Sequence, residues 1–157
     1  MATQLLLEEC PPGADPLSPE APIVFSIGPL NALFPAITKT VAAFKSPLSG
    51  ELGESYAGGR LGMALRFAGH EAVVVRGAAE RPVYISIEND EVKIKDATSI
   101  WGVPATVVGY ILRDVETGVG LRSIIRIGPG GERLVSVRLR LSSIPTHQFG
   151  RLGIRAD

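Results

Sequence analysis

Short apolar runs, nearly all closed by glycine or proline, set the limits on what this chain can fold into. Eighteen glycines and twelve prolines divide 157 residues into segments of strand or short-helix length, so turns and hairpins must build most of the core. Pro11, Pro12, Pro16, Pro19 and Pro22 remove amide donors and fix φ, and residues 8–22 are expected to run as an extended lead-in. Strands follow at 23–27, ended by Gly28-Pro29, and at 40–44, ended by Ser46-Pro47-Leu48-Ser49-Gly50. Residues 51–56 read as a strand, 58–62 as a glycine turn and 63–68 as a short helix stopping at Gly69, where helix-forming side chains give out.

Residues 72–75 have the composition of a buried strand, while 83–88 and 91–95 alternate across Asn89-Asp90, the signature of a tight hairpin. Val107, Val108, Ile111, Leu112 and Val115 recur at helical spacing and predict an amphipathic helix over 104–116. A second hairpin is expected from 121–127 and 134–141 around Gly128-Pro129-Gly130-Gly131, its later strand alternating Val135, Val137, Leu139 and Leu141 with Ser136, Arg138 and Arg140. The result is an α+β class: one β-rich domain over 1–157, mostly antiparallel hairpins with two or so short helices. Gly77-Ala78-Ala79-Glu80-Arg81 and Gly128-Pro129-Gly130-Gly131-Glu132-Arg133 echo each other, marking either two similar sheets or two hairpins that independently use glycine and charge.

Sixteen basic and sixteen acidic side chains cancel, which argues against nucleic acid or an anionic membrane surface as a partner. No apolar run approaches the ~20 residues that span a bilayer, and Leu5-Leu6-Leu7 runs straight into Glu8-Glu9 without a basic flank. A cytoplasmic location is expected. The single Cys10 can supply neither an internal disulfide nor an iron–sulfur cluster, which needs several thiolates. With His70 and His147 as its only histidines, the chain is not expected to build its own metal site.

The densest glycine cluster, Gly58-Gly59-Arg60-Leu61-Gly62, lies where a strand feeds a helix. It is either a phosphate cradle, formed by free amides at a helix N-terminus with Arg60 nearby, or simply a turn needing positive φ. Gly128-Pro129-Gly130-Gly131 is not expected to bind a dinucleotide, because the following residues read as a strand where that fingerprint needs a helix. Near the C-terminus, Thr146-His147-Gln148-Phe149-Gly150-Arg151-Leu152-Gly153 either clamps phosphate through Arg151 or frays at the surface. Glu51, Glu54 and Glu71 show no acid/base partnering, and no catalytic residue is expected.

Taken in order, Asp15-Pro16-Leu17-Ser18-Pro19-Glu20, Gly28-Pro29-Leu30, Lys45-Ser46-Pro47-Leu48-Ser49-Gly50, Gly58-Gly59 with Leu65-Arg66-Phe67-Ala68-Gly69, Glu80-Arg81-Pro82-Val83-Tyr84-Ile85, Lys95-Asp96-Ala97 with Trp101-Gly102, Ile127-Gly128-Pro129-Gly130-Gly131-Glu132 and Gly150-Arg151-Leu152-Gly153 resemble the N-terminal domain of the tungsten-containing aldehyde ferredoxin oxidoreductases. The resemblance implies a two-sheet platform for tungstopterin, a bis-molybdopterin with tungsten whose phosphates are bridged by magnesium. It implies cofactor contacts at Lys39, Tyr56, Ala57, Gly58, Gly59, Arg60, His147, Gln148, Gly150 and Arg151. It places the 4Fe–4S cluster and the residues around the reacting carbonyl in later domains, and it implies opening strands ahead of Leu5 and a completing stretch after Gly153.

Four departures bear on the cofactor. Lys39 and Tyr56 stand where the family has arginine and asparagine, so the bidentate fork and the amide are lost; Leu152 replaces a family glycine, and a family arginine near His147 is missing. The chain is therefore expected either to join a separately encoded catalytic-domain protein that passes electrons to ferredoxin, or to persist as a cofactor-less interaction module. Alone it is not expected to catalyse a reaction. Apolar surface left where catalytic domains would pack is expected to favour partner binding or homo-oligomers.

Overall fold

A computed structural model describes residues 1–116 and 120–133, and the backbone of 152–156. Two four-stranded sheets form the frame. In the first, β1 (Ile23–Ile27) pairs antiparallel with β2 (Thr40–Lys45) and with β4 (Ala72–Val75), and β2 pairs with β3 (Leu52–Ala57), giving the order β3-β2-β1-β4. In the second, β5 (Val83–Glu88) pairs antiparallel with β6 (Glu91–Asp96) and parallel with β8 (Leu152–Ala156), which pairs antiparallel with β7 (Leu121–Ile125). The expected α+β class with mostly antiparallel pairing is what forms, and one parallel pair, β5 with β8, joins the two antiparallel pairs of the second sheet.

Helices fill the spaces that the sheets leave. α2 (Arg60–Phe67) lies between the sheets: its Leu61, Ala64 and Leu65 pack with Ile27 of β1, Ile87 of β5 and Ile125 of β7. α3 (Ala105–Val115) covers the opposite face of the second sheet, with Val108 and Leu112 against Tyr84, and Ile124 alongside. The alternation of β5 explains this division, since Tyr84 joins one cluster while Ile85 and Ile87 join the other. α1 (Ala2–Glu9) covers the outer face of the first sheet through Ala2 and Leu6, which meet Val24 and Ala43.

Several expectations need correction. Glu8 and Glu9 end a helix whose apolar side chains find a sheet face that local sequence does not reveal. The following residues bend through successive turns instead of running extended, with amide-to-carbonyl bonds from Ala14 to Pro11, Ser18 to Asp15 and Ala21 to Ser18. α2 begins at Arg60, three residues earlier than its side chains suggest, because Gly59 ends the turn. Gly77 to Arg81 connects β4 to β5 and so passes between sheets, which removes the independent-hairpin explanation for that segment. β7 ends at Ile125, and Pro129–Glu132 forms one helical turn, α4. The strand expected at 134–141 lies outside the described residues; the described antiparallel partner of β7 is β8.

Candidate functional site

The glycine turn sits where the first sheet delivers its edge strand to the helix between the sheets. Gly59 has φ 97° and ψ −149°, a conformation essentially reserved for glycine. A Cβ at Gly58 would meet nothing within 4 Å, so the backbone there is open to close approach. No side chain caps α2 and its first turn holds no acid. The N–H groups of that turn, uncapped by any side chain among the described residues, and their partial positive charge suit an anion.

Strand register brings Lys39 to the same place. Thr40 pairs with Ala57 and Val41 with Tyr56, so Lys39, one residue before β2, falls opposite Gly58 if the register is continued as the chain leaves β3. Lys39, Gly58, Gly59 and Arg60 are all exposed, and Ala57 is half-buried. The turn is thus both the conformational device that positive φ requires and an open, basic helix N-terminus.

Tyr56, 53% exposed, is engaged elsewhere. Its hydroxyl donates to Glu54 Oε2 at 2.7 Å, and Thr3 Oγ1 donates to Glu54 Oε1 at 3.1 Å. The hydrogen bond to Glu54, then that carboxylate's charge, holds the phenol above its ordinary pKa. Glu54 and Glu71 are partnered despite their exposure, the latter by Arg66 at 2.9 Å. His70 Nε2 lies 2.8 Å from the Asn89 carbonyl, on the hairpin turn between β5 and β6. His147, Gln148, Gly150 and Arg151 fall outside the described residues.

Asn31, which no sequence motif marks, is 1% exposed. Its Nδ2 donates to the Lys39 carbonyl at 3.0 Å, and its amide occupies the space beside Gly62 in the first turn of α2. A buried amide in a loop has no periodic signature; only its position after Gly28-Pro29-Leu30 hinted at a turn. A second cluster has no local sequence signature: Tyr84 and Lys95 converge on Glu116 at the end of α3. A hollow of about 340 Å³ lined by Ala79, Glu80, Arg81, Pro82, Val83 and Trp101 shares no residue with the glycine turn. Among the described residues, no cluster of three or more His, Cys, Asp or Glu could hold a metal, and no helix is long and apolar enough to cross a membrane.

Comparison with known proteins agrees with this architecture. The family model described as "Aldehyde ferredoxin oxidoreductase, N-terminal domain" matches residues 1–156. The tungsten-containing aldehyde ferredoxin oxidoreductase of Pyrococcus furiosus is 41% identical over 136 residues, which is 86% of this chain and 22% of that protein. The enzyme of the same name from Thermococcus kodakarensis is 40% identical over the same shares. A P. furiosus protein named aliphatic sulfonate oxidoreductase, WOR-like subunit, is 34% identical over 77% of this chain and 21% of its own length. The chain thus spans about a fifth of the curated relatives it matches. Among solved structures, the active site complex BamBC of benzoyl coenzyme A reductase aligns with a TM-score of 0.78 over 98% of this chain and 25% of that one, at 22% identity. That similarity shows a shared fold.

Proposed function

Because the chain belongs to the aldehyde ferredoxin oxidoreductase family, whose N-terminal domain it carries, we propose that it is the platform on which a tungstopterin-type cofactor rests. Relatives named for tungsten support the cofactor class. The observation that carries the reading is the open Gly58-Gly59 turn, with Gly59 at φ 97° feeding an uncapped helix and Lys39 alongside by register. Backbone amides of the turn, Arg60 and Lys39 would hold a cofactor phosphate through charge-assisted hydrogen bonds. Ala57 would contribute backbone at the same edge, and the family resemblance adds His147, Gln148, Gly150 and Arg151, which lie outside the described residues, as further cofactor contacts.

These residues fit a phosphate better than they fit a magnesium-bridging amide. Tyr56 has no carboxamide, and its hydroxyl is committed to Glu54. When bound, the cofactor supplies the redox centre for aldehyde oxidation. This chain's own residues bind and orient it, and a cytoplasmic catalytic-domain protein of the same family would supply the 4Fe–4S cluster that passes electrons to ferredoxin.

Anaerobic purification from the native source, followed by tungsten and molybdenum analysis and pterin fluorescence, tests the proposal. Stoichiometric metal and pterin in a complex with a cysteine-bearing chain supports it. Metal-free, partner-free protein favours the second reading, an interaction module without cofactor, for which the Tyr56–Glu54 bond is the specific observation.

A further inference from the structure

Asn31 ties together three parts of the turn that the cofactor reading treats separately. Its Nδ2 donates to the Lys39 carbonyl at 3.0 Å. A methyl group placed on Gly62 would come within 2.5 Å of Nδ2, 3.0 Å of Oδ1 and 3.0 Å of the Thr38 carbonyl. The amide is therefore wedged between the entry to β2 and the first turn of α2, and Gly62 lacks a side chain where that wedge needs room.

The arrangement is not the one that stability alone would select. Among the described residues, neither the buried Asn31 Oδ1 nor the buried Thr40 Oγ1 has a hydrogen-bond partner; an unused buried acceptor is costly, and an apolar side chain would avoid the cost. The loop around the wedge also holds Ala32 at φ 60° and Ala36 at φ 66°, a conformation that alanine seldom adopts. It is pinned there by the Ala32 amide donating to the Ile37 carbonyl at 2.9 Å. Strain of this kind persists where surrounding contacts over-determine the backbone.

We infer that Asn31 is a positioning residue that fixes Lys39 beside Gly58 and Gly59, so that one anion meets the lysine ammonium and the free amides of α2 together. The inference rests on the phosphate-binding reading of the turn. It also separates two roles that a simple alanine variant would confuse, because Asn31 both fills space next to Gly62 and holds Lys39.

Calorimetric titration of the full chain with inorganic pyrophosphate, with thermal melting as a fold check, tests the inference. In the Asn31→Ala/Gly62→Ala variant, the new methyl occupies space that the amide vacates. The methyl's 3.0 Å approach to the Thr38 carbonyl remains, so melting is expected to stay cooperative at a modestly lower temperature, while pyrophosphate binds about tenfold more weakly, the loss expected for one charge-assisted contact. Lys39→Ala is expected to lose a similar amount, and adding the paired change to Lys39→Ala should weaken binding no further. Asn31→Ser, a smaller perturbation, should show the same dependence on Lys39 if the paired variant does not fold. Wild-type affinity in a folded Asn31 variant, or a loss that adds in full to that of Lys39→Ala, would overturn the positioning role. Absence of pyrophosphate binding by the wild-type chain would overturn the anion reading of the turn, and the positioning role with it.

Discussion

At the scale of single residues, glycines that look alike in sequence have different duties here. Gly59 needs its positive φ, so Gly59→Ala should destabilise the chain by about 1–3 kcal/mol. Gly58 has ordinary φ and open space around it, so Gly58→Ala should leave stability within ~0.5 kcal/mol while weakening pyrophosphate binding. Urea unfolding beside calorimetry distinguishes the two, and equal stability losses would show that the turn, not ligand approach, requires both glycines. Gly109 is different again: a methyl there would lie 1.6 Å from Arg126 Nη1, which donates to the Ala105 and Thr106 carbonyls at 2.9 and 3.3 Å. Alanine gains about 1 kcal/mol of helix propensity but displaces a guanidinium whose charged hydrogen bonds are worth more. Gly109→Ala should therefore be net destabilising by about 1 kcal/mol, whereas in an Arg126→Ala background the same change should stabilise, as urea unfolding can measure.

At the scale of elements, the end of α3 is tied to the second sheet by charge. Glu116 accepts from Tyr84 Oη at 2.6 Å and from Lys95 Nζ at 2.7 and 2.8 Å, while Arg122 donates to the Glu116 and Arg113 carbonyls. Burial pushes the Glu116 carboxyl upward, but the bonds from Lys95 and Tyr84 outweigh it and hold the group below its ordinary pKa. Tyr84 is held above 10.0 by burial first and then by its bond to Glu116. The signs are opposite. Stability from Glu116 is present above the ordinary carboxylate range and fades as pH falls through that range towards the lowered value. Stability from Tyr84 is present below pH 10 and fades as pH rises above its ordinary value. A plateau bounded by acid and alkaline limbs is expected in thermal melting; Glu116→Gln should flatten the acid limb and lower mid-range stability by about 1–2 kcal/mol, and Tyr84→Phe should flatten the alkaline one.

At the scale of the whole molecule, the two sheets share α2 as a common filling, so the glycine turn is positioned by both cores at once. The loop leading to Lys39 leaves Leu30, Leu33, Phe34 and Ile37 exposed. Apolar clusters of this kind mark contact surfaces, and in the cofactor reading a catalytic-domain protein would cover this one. The isolated chain is accordingly expected to self-associate. Leu33→Ser with Phe34→Ser should shift it towards monomer in sedimentation velocity with little change in melting temperature; unchanged association would place the contact elsewhere.

Local order was legible in the sequence because turns and periodicity are local. Asn89-Asp90 marked the β5–β6 hairpin, Gly58 and Gly59 the turn, and the spacing of Val108, Ile111 and Leu112 the third helix. The ordered motifs likewise identified the family, since they are spread along nearly the whole chain. What only the tertiary structure decided depends on residues far apart. α1 forms where Leu6 finds Val24 and Ala43, β8 inserts between β5 and β7, and Lys39 reaches Gly58 through strand register. Asn31 reaches the first turn of α2 because Gly62, distant in sequence, leaves room for its amide. Sequence carries the propensity of each segment, but which faces meet is set by burying apolar surface and pairing buried polar groups across the whole chain.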